Sequence, residues 1–496
     1  LIHLALQAAL AGGDMERALQ LAPEAIKSEK GGDSAAYLVL SLDALRQKDY
    51  RTALDNLEKT SDSGFNVLLK PMLKAWVDLG LGNVTAAMSD LDSLDKYSGF
   101  EALKSYHLAL LADVSGNKDL ADKEYVTAIK GPSGRAVRLV QSYGAYLVRN
   151  GDKAGALKMF NDYLQAYPLS PSIKALKEDL LAGKNIPALV TSPVNGAAEA
   201  LYSMASVIGQ ERAVGVAATY SYFALMLKPD FPVAQVMLAE TAEDRGKWQE
   251  ALDLYGRVDP SSAYYKDAKI RSAWSIYKLG RPEDAVEKLN QIAKDYPDDI
   301  EALVALADMS REQKLWKEAA HEYSRAIDRL NGDEVRHWSL FYARGIAYEQ
   351  SKQWPLAEAD LLKALKLQPN HPQVMNYLAY SWVDRDENLG KAKEMLIKAV
   401  ALRPRDGYIV DSLGWLYYRM GDFKDAVAQL EKAVSLEAAD PTINDHLGDA
   451  LWRVGRREEA RYQWQRSLWL NPSADQIPLI REKLKNGLKD DIKAEK

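Results

Sequence analysis

A beat of 34 residues runs through this chain, and a sequence that repeats at that interval folds as stacked units rather than as one continuous core. Alanine marks the beat. The same local context surrounds Ala217, Ala251, Ala285 and Ala319 at steps of 34 residues. Ala357, Ala392, Ala426 and Ala460 continue it, and Ala18, Ala53, Ala87, Ala121 and Ala156 precede it at steps of 34 or 35.

The neighbours of each mark agree. A leucine and a small residue stand thirteen and twelve positions before it, as in Leu108-Ala109, Leu238-Ala239, Leu306-Ala307, Leu413-Gly414 and Leu447-Gly448. An aromatic residue stands four after it (Tyr125, Phe160, Tyr255, Tyr323, Trp464), and proline closes several units, among them Pro168, Pro229, Pro369 and Pro404. Each unit therefore reads as two helices and a short turn. A glycine such as Gly421 or Gly455 ends the first helix, where a positive φ costs it little. Small residues let the two helices approach closely, and the aromatic is expected to fill the gap to the next unit. Proline stops the second helix because it lacks an N–H and clashes with the preceding turn. One helix pair cannot bury its apolar face alone, so the units must stack.

This pattern resembles the tetratricopeptide repeat, and the resemblance covers nearly the whole chain. It implies an all-α fold: a right-handed superhelical α-solenoid of about thirteen helix-turn-helix units.

The period breaks once. Between Ala156 and Ala217 lie 61 residues, 7 short of two units, and this gap holds Pro168, Pro171, Pro187 and Pro193. Residues 184–195 are not expected to be helical, because two prolines fall among them. The resulting expectation is an amino-terminal array (1–168), a proline-containing linker or insertion (169–196), a carboxy-terminal array (197–474), and a capping helix with a frayed tail (475–496). The alternative is a degenerate repeat that stacks without interruption. A longer connection is expected at 331–337, where the step between marks lengthens to 38 residues.

Composition narrows the function. With Lys+Arg 64 against Asp+Glu 70, the net charge is −6 and no basic tail offers a footing for nucleic acid. No stretch approaches the ~18 apolar residues that span a membrane. The first residue is Leu1 rather than Met, so any signal peptide or lipid anchor would lie on a preceding segment. The 496 residues include no cysteine, which removes thiol catalysis, cysteine-bound zinc and disulfides. The six histidines are scattered without a His-x-x-x-His pair. No phosphate loop, nucleophile elbow or calcium loop is present. No enzyme, cofactor or metal is expected. Asp445, His446 and Asp449 are the most site-like cluster, but Leu447-Gly448 places them on an ordinary packing helix.

In the family that the repeat resembles, ligands lie along the second, fifth, ninth, twelfth and thirteenth positions of the unit. Carried over, these are Tyr408, Asp411, Trp415, Tyr418 and Arg419 in one unit, and Asp445, Asp449, Trp452 and Arg453 in the next. Asn376, Tyr380, Trp274 and Tyr277 come from two others. Rigid aromatics with Arg and Asp suit a protein-binding groove for a partner protein or an extended peptide. The family's clamp for a terminal carboxylate is not supported, since Asp411 and Asp445 stand at the fifth position. The carboxy-terminal third also resembles large proteobacterial repeat proteins, one group of which partners a carboxy-terminal processing protease at the outer membrane. That implies a non-catalytic adaptor, periplasmic or outer-membrane-associated in a Gram-negative bacterium, presenting substrates to an envelope protease. The alternatives are a scaffold in polysaccharide or cell-wall assembly or secretion, and a cytoplasmic assembly factor.

Overall fold

The structure, a computed structural model, describes residues 1–28, 33–131, 136–210, 213–332 and 334–488. Among them the chain is helical throughout, with 28 α-helices, two short 3-10 segments and no strand. Among the described residues no helix is long and apolar enough to cross a membrane.

The helices form in pairs for the reasons the repeat suggests. Gly407–Met420 pairs with Phe423–Leu436, and Pro441–Arg453 with Arg457–Trp469. Asp406 and Asp440 cap the two first helices by accepting backbone N–H groups of Ile409 and of Thr442 and Ile443. The marks Ala251, Ala319, Ala426 and Ala460 are fully buried. The small residue opposite them is obligatory: a Cβ on Gly448 would lie 2.5 Å from the Trp464 ring, and one on Gly414 2.6 Å from Leu430. The aromatic after the mark therefore sits over its own unit's first helix. Phe160 does the same under Gly144, where a Cβ would come within 2.3 Å of the ring. The ring also reaches the following unit, as expected: Tyr125 stacks on Tyr143 at 5.0 Å, and Tyr255 OH accepts from Arg271 Nη1 at 3.3 Å.

Five residues before the mark the backbone turns left-handed. Gly421 (φ 84°) and Gly455 (φ 83°) adopt this freely, but Lys48, Lys314 and Lys352 hold φ of 63°, 59° and 63° at the same position. A side chain there crowds the following carbonyl.

The chain divides into two compact units, Leu1–Lys288 and Leu289–Lys496. The division thus does not fall at 169–196, which lies within unit 1. There Pro171 and Pro193 open helices instead of breaking them, as proline can at the first helical position. Residues 184–192 are non-helical, as expected, but 193–195 are helical, since Pro193 is the first residue of the helix Pro193–Gln210, which then doubles back. It packs on the first helices Asn66–Gly80 and Glu101–Ser115, while Val214–Leu227 packs on Ser34–Arg46 and Ile2–Ala11. Gly196 meets Trp76 so closely that a Cβ would lie 2.3 Å from the ring. The first helices between Ile2 and Ser115 are thus covered by the chain's own helices.

A buried polar knot fixes this arrangement. Arg138 donates from Nε to Glu199 Oε1 (2.9 Å) and from Nη2 to Oε2 (2.5 Å), and Tyr106 OH donates to Oε1 at 3.0 Å. Glu199 is 1% exposed. Burial opposes its ionisation, but the Arg138 charge and the Tyr106 hydroxyl outweigh it and hold the carboxyl below its usual value.

In unit 2 the longer connection contains a 3-10 turn, Val335–His337, and the expected capping helix is Gln476–Asn486. The expected frayed tail falls on 489–496, outside the described residues.

Breaking the knot by Glu199→Ala leaves a buried guanidinium unpaired and should cost about 3–5 kcal/mol in urea unfolding, with Glu199→Gln costing less. Lys314→Gly should raise stability by roughly 0.5–1 kcal/mol, because relief of the left-handed strain exceeds the added chain entropy; a lowered melting temperature would contradict that account of the turn.

Candidate functional site

In unit 2 the first helices Pro372–Asp384, Gly407–Met420 and Pro441–Arg453 lie side by side, each touching the next. The repeat puts Asn376, Asp411 and Asp445 at one register on them and Tyr380, Trp415 and Asp449 at another. Most of these groups bind the neighbouring repeat. His446 Nδ1 lies 3.0 Å from Asp411 Oδ1, Arg453 Nε donates to Tyr418 OH at 3.4 Å, and Arg419 pairs with Asp386 at 2.6 Å. Partners one repeat apart hold the row in register. Burial opposes protonation of His446, yet Asp411 raises its pKa above the ordinary value.

The row is closed at its end by the chain itself. Lys483, on the helix Gln476–Asn486, donates to Asp445 Oδ2 and Asp449 Oδ2, each at 2.8 Å. Asp449 also accepts from Trp464 Nε1 at 2.8 Å. Burial pushes the Asp449 carboxyl up to about 6, against the pull of the Lys483 charge and with Asp445 adding to the rise. The ammonium stands where a divalent ion between these aspartates would have to sit, and no metal-holding cluster is found among the described residues. Trp452 is covered too. Gly487 lies against its ring, Trp464 is 5.4 Å away, and Arg457 and Arg461 lie over it at 5.2 and 5.7 Å.

What remains open lies one repeat earlier. Trp415 is half-buried, stacked between Tyr418 (4.7 Å, 9°) and His446 (4.1 Å, 13°). Its Nε1–H has no acceptor, and Asn376 Oδ1 in the preceding helix has no donor. Tyr408 is 53% exposed. Tyr380 is half-buried, and burial with the nearby Asp411 charge raises its pKa. Trp274 and Tyr277 pack edge-to-face at 5.7 Å on Tyr265–Lys278 in unit 1 and do not join this row. Sequence reasoning passed over His446 as a partner of Asp411, although their spacing of one repeat was visible, and missed Lys483 because the tail carries no period.

The tetratricopeptide-repeat family model matches residues 271–334 and 412–473. Those two stretches carry tetratricopeptide repeats. Among curated proteins, TPR repeat-containing protein PA4667 of Pseudomonas aeruginosa is 29% identical over 198 residues, 39% of this chain and 32% of that protein. The NatB auxiliary subunit N-alpha-acetyltransferase 25 of Rattus norvegicus is 28% identical over 176 residues, 32% of this chain and 17% of the relative. The likeness therefore spans a third or less of the length of these relatives. Similar solved structures include the APC/C hetero-tetramer Cut9–Hcn1, at 16% identity and TM-score 0.43 over 98% of this chain and 89% of that one. Yeast Tom70 is 15% identical with TM-score 0.38, over 98% and 95%.

Within these tetratricopeptide repeats the Lys483 bridge makes a pH-dependent prediction. Because burial raises the Asp449 pKa, its ionised form is the one that needs Lys483, and the need fades as pH falls through about 6. Lys483→Met should therefore speed amide exchange in Gln476–Asn486 at pH near 7, by an amount corresponding to roughly 2 kcal/mol, and less at pH near 5. An equal effect at both values would refute the assignment.

Proposed function

We propose that the protein is a non-catalytic scaffold that holds an extended segment of a partner protein along the first-helix face of unit 2. The observation that carries this reading is the incomplete polar row around Trp415. A buried indole N–H without an acceptor and a buried amide oxygen without a donor stand at neighbouring registers of adjacent helices. A peptide backbone offers both complements, a C=O for the first and an N–H for the second. An orphaned buried donor costs about 1–3 kcal/mol, which a bound backbone would recover. Tyr408 and the Trp415 ring add rigid aromatic area at low entropic cost.

The finer reading is an adaptor in a Gram-negative cell envelope that presents substrates to a partner protease. Its support is the likeness of the carboxy-terminal third to proteobacterial repeat proteins. The covering of the first helices between Ile2 and Ser115 by residues 193–227 takes that stretch out of consideration as a site of exchangeable binding.

Trp415→Phe keeps the stack and removes only the N–H. With a library of unstructured peptides and the full chain, fluorescence anisotropy should register about tenfold weaker binding for Trp415→Phe, and a greater loss for Trp415→Ala with Tyr408→Ala. Helical circular dichroism should stay constant. Unchanged affinity in both variants would refute the site.

A further inference from the structure

Unit 1 contains a cleft of about 380 Å³ whose chemistry the repeat architecture does not require. It lies between the helix Pro171–Leu181, the non-helical stretch after it and the start of the helix Pro232–Asp244. One wall is apolar, formed by Leu176, Pro187, Leu189 and Val233. At its base, Lys228 Nζ sits 4.9 Å from the centre of the Phe231 ring, which Arg138 also approaches at 5.2 Å.

The two cations differ in their state of pairing. Arg138 is satisfied on every side: Glu199 takes Nε and Nη2, and Gln141 Oε1 accepts from Nη1 at 2.9 Å. Lys228 is half-buried and makes no ion pair and no side-chain hydrogen bond among the described residues; the Phe231 ring face is its one polar contact. The other acid on the cleft, Asp179, is held by Lys184 at 2.7 Å and does not reach it. Two acids act on it without contact: Glu199, which is bonded to Arg138, and Asp230, from an exposed position. Burial first, and Arg138 second, make the charged form of Lys228 harder to keep than in water. Leaving a desolvated ammonium without a counter-ion is unfavourable, and methionine would serve the packing against Phe231 as well. Hydroxyls also line the cleft: Tyr264 OH donates to Ser172 Oγ at 3.2 Å, and Ser262 is a further lining residue.

We propose that this cleft binds a small carboxylate carrying an apolar body. The carboxylate pairs with Lys228 and the serine and tyrosine hydroxyls, and the body lies on the Leu176–Val233 wall. One uncompensated positive charge calls for one negative charge, which favours a carboxylate over a phosphate dianion. The apolar wall calls for more than a bare ion. The site is independent of the first-helix face of unit 2.

The probes are 4-phenylbutyrate, its amide and inorganic phosphate, titrated by calorimetry into the full chain. The carboxylate is expected to bind with a Kd of about 0.1–1 mM, and the amide and phosphate about tenfold or more weakly. Lys228→Met should weaken carboxylate binding about tenfold and leave amide binding unchanged, whereas Lys228→Arg should retain the preference. Equal binding of acid and amide by the unaltered protein would overturn the proposal whatever the variants do. So would phosphate binding as tight as the carboxylate's, no saturable binding of the carboxylate, or a folded Lys228→Met protein that binds it undiminished.

Discussion

Everything in this molecule rests on how closely two helices of one repeat can approach. At Gly448 the indole of Trp464 occupies the space a Cβ would need, and the alanine mark Ala460 is buried beside it. Interiors are close-packed, so even one added methyl group is felt. That contact fixes the angle of each pair, and the pairs fix the side-by-side placement of the first helices. Only then do residues a repeat apart come within hydrogen-bonding range, as Asp411 and His446 do. The candidate row is a consequence of the small-residue contact, not a separate design.

The repeat was legible because its requirements are local: a small residue, an alanine, a ring and a left-handed turn recur at fixed offsets. The turn shows how firmly geometry is imposed. Lys48, Lys314 and Lys352 adopt it against their own preference because the flanking helices leave no other path. The doubling back of residues 193–227 was not read from the period, which is broken there. A different signal carried it. Val214–Leu227 contains no charged residue, and Pro193–Gln210 contains one, Glu199. A helix that is apolar all round must be covered on every side. An ordinary repeat helix keeps one polar face, so this pair could not lie on the outside of an array. The single charge is the one that Arg138 meets.

The candidate row was legible as a set of positions but not as a set of states. The residues at the fifth and ninth positions share a register, yet each environment depends on what the next repeat supplies. Asp411 receives His446, and Asp445 and Asp449 receive Lys483 from a helix outside the period. No residue pattern within one repeat specifies its neighbour's contribution. Long-range pairing of this kind is where reasoning from one unit stops.

The chain's own end shows what a completed position looks like. At Asp449 the last helix brings a lysine to the acid, and Gly487 lies against Trp452, so the inner side of the final repeat is closed by residues 483–487. One repeat earlier the equivalent position is Trp415, whose ring is stacked on both faces while its N–H points at no acceptor. Packing has been optimised there and hydrogen bonding has not. Phenylalanine would fill the same stack without an unmet donor. The unmet N–H of Trp415, beside the unmet Asn376 Oδ1 of the adjacent first helix, is the observation on which the proposed peptide contact rests.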